Sequence, residues 1–200
     1  MEQVKILQIK QSVFANNDAQ AEALRRELKE RKLYLLNLMS SPGSGKTTTL
    51  TRLIAALKDQ LRIGVMEADI DSDVDAAMTR QGLEGLEPEA LDLVILENVG
   101  NLVCPAEFDT GAVKNCMILS VPEGHDKPLK YPLMFQVCDT VIINKTDVLP
   151  YFDFDMDKCA EYIRLRNPNA RIFPISAKTG QGVEALADWL KEEVRNWKGD

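Results

Sequence analysis

The sequence predicts an α/β fold, in which a doubly wound, mostly parallel sheet carries helices on both faces. The first observation is a set of six short apolar runs, each of the length and composition of a strand buried on both faces. The second is that helix-like segments separate most of these runs, and such alternation is typical of doubly wound sheets. The third is that polar clusters follow several runs, at the strand ends where this architecture binds ligands.

The elements follow from these patterns in chain order. The first helix has alanines and leucines on one side, and Asn17 or Asp18 is expected as its N-cap. The predicted strands cover residues 33–39, 63–69, 91–97, 116–121, 140–147 and 171–176. The predicted helices cover residues 16–32, 45–59, 73–81, 128–138, 154–166 and 182–197.

Charge and cysteine spacing exclude several classes of protein. The net charge is −7 and there is no long basic block, so we expect neither a nucleic-acid nor a membrane partner. The first ten residues lack the long apolar segment of a signal peptide, which favours a cytoplasmic protein. The four cysteines form no CxxC pair, so we expect Cys116, Cys138 and Cys159 to be buried thiols rather than disulfide or zinc-knuckle partners.

The strongest motif is SSPGSGKTTTL, residues 40–50, which follows the first predicted strand and opens a helix. It matches the phosphate-loop pattern at Gly45, Lys46 and Thr47, with Ser40 in the place of the first glycine. Lys46 is expected to contact the β- and γ-phosphates, and the Thr47 hydroxyl to ligate Mg²⁺. The predicted nucleotide contacts of this loop are Gly43, Ser44, Gly45, Lys46, Thr47 and Thr48.

Two further motifs select the base. The Asp147 carboxylate of NKTD can accept hydrogen bonds from the guanine ring N–H and amine, a donor pair that adenine lacks. Lys145 is expected to cover the base with its aliphatic stem, and the Ala177 N–H of SAK to donate to guanine O6. Together the motifs predict GTP and GDP as ligands, bound by Asn144, Lys145, Asp147, Ser176, Ala177 and Lys178.

The segment ENVG is expected to sense the γ-phosphate. Its carboxylate, Glu97, can reach magnesium or a magnesium-bound water, while the Gly100 N–H meets the γ-phosphate and moves when it leaves. Asp71 and Asp73 are more simply explained as an acidic helix start. The magnesium candidates are Thr47, Asp69, Asp75 and Glu97, and the predicted catalytic set is Lys46, Thr47, Glu97 and Gly100.

These motifs predict one P-loop GTPase domain over residues 1–200, with an N-terminal extension and helix (1–32) and a core (33–200). With ENVGNLVCPAEFD, EGHDKPLKYPLMF and NKTDVLP, the chain closely resembles the hydrogenase nickel-incorporation GTPases (HypB), members of the signal-recognition-particle-like class. The resemblance runs from about residue 10 to about residue 195. It implies slow GTP hydrolysis, GTP-dependent homodimers, and delivery of nickel to a hydrogenase large-subunit precursor with a partner nickel metallochaperone. It also implies that Cys104 is a nickel or zinc ligand.

One departure from that family leaves the function open. Only LEGLEPEA, residues 83–90, stands where the family normally has a strand, a helix and a Gly-Cys-His metal loop. The chain is therefore a nickel metallochaperone, or a metal-independent GTP switch that lost the loop, or its natural form carries a loop that this sequence lacks. The sole histidine, His125, is a second metal ligand or an exposed switch-loop residue, and Lys127 begins a helix or senses nucleotide or a dimer partner.

Overall fold

The computed structural model describes residues 2–68, 74–100 and 108–199. It contains one six-stranded sheet in the order β2-β3-β1-β4-β5-β6, and every neighbouring pair of strands is parallel. The strands are β1 (Tyr34–Ser40), β2 (Ile63–Glu67), β3 (Leu93–Gly100), β4 (Lys114–Ser120), β5 (Thr140–Asn144) and β6 (Arg171–Pro174). The helices are α1 (Glu2–Glu30), α2 (Lys46–Leu57), α3 (Ala76–Glu84), α4 (Lys127–Lys130), α5 (Pro132–Val137), α6 (Met156–Arg166) and α7 (Val183–Lys198).

The sheet is covered by helices on both faces. Successive side chains of a strand point to opposite faces, and β1 divides in this way. Leu36 and Leu38 lie in an apolar cluster with residues of α2 and α7. Leu35 on the other face packs with leucines of α1 and α3, and Met39 packs with residues of α5 and α6. The predicted doubly wound fold is confirmed, and the sheet is parallel throughout.

The first helix is longer than predicted and belongs to the core. It begins at Glu2, so the expected N-cap at Asn17 or Asp18 is wrong. Asn17 is only 4% exposed, and its buried amide bonds to other parts of the chain. Its Nδ2 donates to the Asp109 carbonyl over 3.1 Å, and its Oδ1 accepts from the Ala76 N–H over 3.2 Å. These bonds use the side chain that would otherwise cap a helix.

Two other predicted elements end early for local reasons. The helix expected over 128–138 is two short helices, since Pro132 starts α5 and has no N–H to continue the hydrogen bonding of α4. The strand expected over 140–147 stops at Asn144 because Lys145 adopts a left-handed conformation with φ 63°. A 3₁₀ helix, Thr146–Tyr151, follows it.

The cysteines that the structure describes are buried, as expected. Cys116, Cys138 and Cys159 are each at most 1% exposed. Burial raises the pKa of the Cys159 thiol to about 12, and it raises the pKa of Cys116 and Cys138 above the ordinary value of 9.0. These three thiols are therefore neutral and inert at physiological pH.

No helix within the described parts of the chain is both long and apolar enough to cross a membrane.

Candidate functional site

The phosphate loop forms an open cavity of about 360 Å³ beyond the carboxyl end of β1. The loop curls through two left-handed glycines, Gly43 with φ 74° and Gly45 with φ 95°. A Cβ at Gly45 would lie 2.4 Å from Asn144 Nδ2, so only glycine fits there. The lining residues are Ser40, Ser41, Pro42, Gly43, Ser44, Gly45, Lys46, Thr47, Thr48 and Gly100.

This cavity offers the hydrogen-bond donors that a phosphate group requires. Helix α2 begins at Lys46. Its first backbone hydrogen bond of the i to i−4 type runs from the Thr49 N–H to the Gly45 carbonyl over 2.9 Å. The preceding N–H groups at the start of α2 therefore have no acceptor within the helix. The hydroxyls of Ser40 and Ser44, which also line the cavity, are buried without a protein hydrogen-bond partner. The loop thus fits a phosphate chain.

Lys46 and the end of β3 meet at one side of the cavity. Lys46 Nζ lies 3.6 Å from Glu97 Oε1 and also donates to the Asn98 carbonyl. The Glu97 side chain is 13% exposed, so its carboxylate is partly shielded from water. Glu67 pairs with Glu97 in the register of β2 and β3, which places two carboxylates side by side.

The other predicted magnesium ligands differ in their surroundings. Thr47 lines the cavity and its side chain is exposed. Asp75 is the N-cap of α3, where its Oδ1 accepts from the Met78 N–H over 2.9 Å, and it does not line the cavity. Asp69 lies outside the described residues, as do Asp71 and Asp73.

The two base-reading motifs come together around Asn144. Its Nδ2 donates to the Ser44 carbonyl over 2.9 Å, and its Oδ1 accepts from the Ala177 N–H over 3.0 Å. Ser176 Oγ donates to Asp147 Oδ1 over 2.7 Å. Asn144 therefore connects the phosphate loop to the SAK segment.

One detail of this region differs from the prediction, and one further contact was not expected, while the covering of the base by the stem of Lys145 stays a prediction. The Ala177 N–H donates to Asn144 and not outward to a base carbonyl, because the amide of Asn144 lies directly against it. Lys145 Nζ donates to the Gly43 carbonyl over 2.6 Å, so the aliphatic stem of Lys145 extends from the base-reading loop to the phosphate loop.

Two residues that hydrogen-bond to the loops of the site were missed by the sequence patterns. Arg52 of α2 donates from Nε to the Ala177 carbonyl and from Nη2 to the Lys178 carbonyl, both over 3.1 Å, and no sequence pattern marks it. Glu123 accepts from the Ser120 N–H and Oγ over 2.7 Å and from Ser41 Oγ of the phosphate loop. The spacing Ser120-x-x-Glu123 is a capping box and could have identified this carboxylate.

His125 has structural partners. Its Nδ1 accepts from the Asp155 N–H over 3.2 Å, and its ring contacts Phe154 and Tyr162. A neutral imidazole that accepts at Nδ1 carries its proton on Nε2, so neither nitrogen is free for a metal in this arrangement. This geometry supports a loop-holding role for His125.

Lys127 is the first residue of α4, and its ammonium lies 5.1 Å from the centre of the Tyr131 ring. Its place in the helix fits the simpler prediction, in which Lys127 begins a helix.

No group of three His, Cys, Asp or Glu side chains that could hold a metal ion occurs among residues 2–68, 74–100 and 108–199. Cys104, the predicted nickel or zinc ligand, lies outside those residues.

Comparison with known proteins identifies the family. A family model described as the CobW/HypB/UreG nucleotide-binding domain matches residues 80–174. The hydrogenase maturation factor HypB of Rhizobium leguminosarum bv. viciae is 41% identical over 214 residues, covering 96% of this chain and 72% of that protein. This chain belongs to the HypB family.

Two solved HypB structures are similar to this chain in fold as well as in sequence. HypB from Helicobacter pylori, in complex with nickel, superposes with a TM-score of 0.83 at 36% identity, over 90% of this chain and 96% of that one. HypB from Archaeoglobus fulgidus gives a TM-score of 0.81 at 34% identity, over 90% and 99% of the two chains. The chain therefore has the P-loop GTPase fold of its family.

The alignment with one relative also shows that this chain is shorter within the matched region. The alignment with the Rhizobium protein runs over 214 positions, although this family member has 200 residues, so the relative contains residues that this chain lacks. Here α3 ends at Glu84, and a single 3₁₀ turn, Pro88–Ala90, precedes β3. Such a connection has no space for the additional strand, loop and helix of the predicted family pattern.

Proposed function

We propose that this HypB family member binds GTP with Mg²⁺, hydrolyses it slowly, and assists nickel insertion into a hydrogenase large-subunit precursor. The observation that carries the nucleotide half of this proposal is the position of Asn144. One buried amide bonds both to the phosphate loop, at Ser44, and to the SAK segment, at Ala177. Asn144 would therefore hold the phosphate site and the base site of a bound nucleotide at a fixed separation.

Asp147 favours guanine as the base. Asp147 Oδ1 accepts one hydrogen bond from Ser176, and both carboxylate oxygens keep lone pairs that can accept from a base. A carboxylate accepts hydrogen bonds only, and guanine offers a ring N–H and an amine side by side. Adenine would leave the carboxylate desolvated without a donor. GTP and GDP are accordingly the proposed ligands.

The phosphate half of the site supports hydrolysis at a low rate. Mg²⁺ would supply charge to the β- and γ-phosphates, held by Thr47 and Glu97, with Asp69 and Asp75 as further proposed ligands. Asp75 would use the oxygen that does not cap α3. Lys46 would place its ammonium on the phosphates, and Gly100 would offer its N–H. None of the described residues that line the cavity is a Gln or Arg that could orient an attacking water.

Nickel handling is proposed from the relatives and from Cys104. The Helicobacter pylori HypB was solved in complex with nickel, and the curated relatives are named hydrogenase maturation factors. Since Cys116, Cys138 and Cys159 are buried, Cys104 is the thiol left to hold Ni²⁺ or Zn²⁺. A GTP-dependent homodimer would bring two copies of Cys104 together across its two-fold axis. The proposed partner is a nickel metallochaperone, and the proposed compartment is the cytoplasm.

The deciding experiment is a titration of the protein with Ni²⁺ and with Zn²⁺, with and without a non-hydrolysable GTP analogue. We expect binding that changes with nucleotide and is lost in Cys104→Ala. Cys159→Ala, which removes a buried thiol, is the matched control and should retain it. If binding is only weak and unaffected by Cys104→Ala, nickel handling is excluded and the metal-independent GTP switch is the function.

A further inference from the structure

Strand β3 contains a bulge at the segment that is expected to sense the γ-phosphate. Leu38 of β1 pairs with Glu97, and Ser40 pairs with Gly100, so three steps along β3 match two steps along β1. Leu38 and Ser40 lie on the same face of β1, and their two partners therefore lie on the same side of the sheet. Without the extra residue, Glu97 and Gly100 would fall on opposite sides.

The bulge brings both groups to the phosphate loop. Glu97 lies 3.6 Å from Lys46 Nζ, and Gly100 lines the phosphate cavity, where a Cβ added to it would be 3.5 Å from Pro42 Cα. A bulge disrupts the backbone ladder locally, so its shape depends on side-chain contacts nearby.

A row of asparagines meets the bulge from the other face of the sheet. Asn98 Nδ2 donates to Asn37 Oδ1 over 3.3 Å, and Asn37 Nδ2 donates to Asn115 Oδ1 over 2.9 Å. Asn115 Nδ2 then donates to the Val137 carbonyl at the end of α5 over 3.3 Å. The row crosses β3, β1 and β4, and every amide in it donates in the same direction.

These amides occupy positions that ordinarily favour apolar side chains. Asn37 is 1% exposed and Asn98 is 2% exposed, and Asn37 shares its face of β1 with Leu35 and Met39. An amide buried among apolar side chains destabilises the fold unless its donors and acceptors are paired. An apolar residue at position 37 would pack without this requirement, so the amide needs another explanation.

Asn98 explains the buried amide at position 37, because Asn98 bonds to groups on both sides of the sheet. Its side chain bonds to Asn37 on one side of the sheet, and its backbone carbonyl accepts from Lys46 Nζ at the phosphate site. A shift of Asn98 would therefore move the acceptor of Lys46 together with the neighbouring Glu97.

We infer that Asn37 is a positioning residue for recognition of the γ-phosphate. Through its bond to Asn98 it fixes the β3 bulge, and the bulge aims Glu97 and Gly100 at the phosphate loop. This inference rests on the proposed GTP binding. It predicts that Asn37 affects affinity for a triphosphate more than affinity for a diphosphate, although Asn37 touches neither ligand.

The test is a set of dissociation constants for a non-hydrolysable GTP analogue and for GDP. We expect Asn37→Ala and Asn98→Ala each to weaken the analogue about fivefold, the worth of one net hydrogen bond, and to leave GDP within about twofold. The effect of the double variant should be smaller than the two single effects combined, since both single variants already remove the Asn37–Asn98 bond. The matched control is Asn115→Ala, which breaks the next bond of the row but leaves Asn37–Asn98, and it should retain the wild-type ratio.

Three results would overturn the inference: equal weakening of both nucleotides, a changed ratio in Asn115→Ala, or additive effects in the double variant. If Asn37→Ala does not fold, Asn98→Ala tests the same bond from β3. Failure of the wild-type protein to bind either nucleotide would instead reject the proposed function.

Discussion

Asn144 shows how much of a nucleotide site can depend on one side chain. Its amide offers two donors and an acceptor, and the structure uses both kinds of group on opposite neighbours, the Ser44 carbonyl and the Ala177 N–H. A carboxylate at this position would lose the donor, and an aliphatic side chain would lose both. The separation of phosphate site and base site is therefore set by the dimensions of an asparagine.

Asp147→Asn should change the base that this site prefers. An amide at position 147 can donate to the 2-carbonyl of xanthine, while it repels the amine of guanine. We expect GTP affinity to fall at least about a hundredfold and affinity for xanthosine triphosphate to exceed it, as two hydrogen bonds to a charged group are lost. Binding of both nucleotides should be measured by calorimetry.

The exposed carboxylate of Asp153 provides the control for this change of charge. Asp153→Asn is expected to bind GTP normally. If Asp147→Asn kept its preference for GTP, the assignment of Asp147 to the base would be wrong.

At the scale of the elements, the Asp92 carboxylate just before β3 forms hydrogen bonds that join β3 to the start of β2 and to the end of α7. Its Oδ2 accepts from the Arg62 N–H and Nε over 2.9 Å, and its Oδ1 accepts from Arg62 Nη2 over 2.9 Å and from Lys198 Nζ over 2.8 Å. Arg62 immediately precedes β2, and Lys198 is the last residue of α7. Since the Asp92 side chain is only 10% exposed, this tie is better shielded than most surface ion pairs.

This tie should make stability depend on acidity. The hydrogen bonds from Arg62, followed by those from Lys198, hold the pKa of Asp92 well below its ordinary value of 3.8. A depressed folded-state pKa adds stability that is complete above the unfolded pKa and is lost as the pH falls toward the folded value. Asp92→Asn should therefore lower the free energy of unfolding by about 1 to 2 kcal/mol at pH 7.

Urea denaturation between pH 7 and pH 2 measures this effect. The difference between wild type and Asp92→Asn should shrink once the pH falls below about 4. Asp188→Asn, which removes an exposed pair with Lys191, should show little effect at any pH. A difference for Asp92→Asn that stayed constant with pH would contradict the assignment.

At the scale of the whole molecule, an apolar surface follows the base-reading loop. Tyr151 and Phe152 are 82% and 44% exposed, at the end of the 3₁₀ helix that contains Asp147. Exposed aromatic side chains of this kind are enriched in protein interfaces. We therefore place the interface of the proposed GTP-dependent homodimer at Tyr151 and Phe152.

Phe152→Asp should prevent that dimer. We expect sedimentation to show dimers of the wild type with a GTP analogue and monomers with GDP, and to show monomers of Phe152→Asp with either. Leu165→Asp places the same charge on an exposed leucine of α6 and is the matched control. A wild-type protein that stays monomeric with the analogue at high concentration would rule the dimer out.

The sheet could be predicted from the sequence because each strand is a continuous apolar run. The motifs could be recognised because each is a short segment with characteristic residues at a fixed spacing. The early end of β5 at Lys145 was not predictable, since a lysine with positive φ has no marker in the sequence. Asn37 could have been noticed as the one amide in the apolar run of residues 33–39. Its partners Asn98 and Asn115 could not be known, because only the order β3-β1-β4 brings the three together.

The burial of Cys116, Cys138 and Cys159 has a practical consequence. Their thiols are neutral and inaccessible, so a thiol-selective dye added to the native protein should find one rapid target at most, Cys104. The labelling rate of the unmodified protein would then report on Cys104 alone. Protection of that thiol by nickel, by zinc or by a GTP analogue could be followed without replacing any other cysteine.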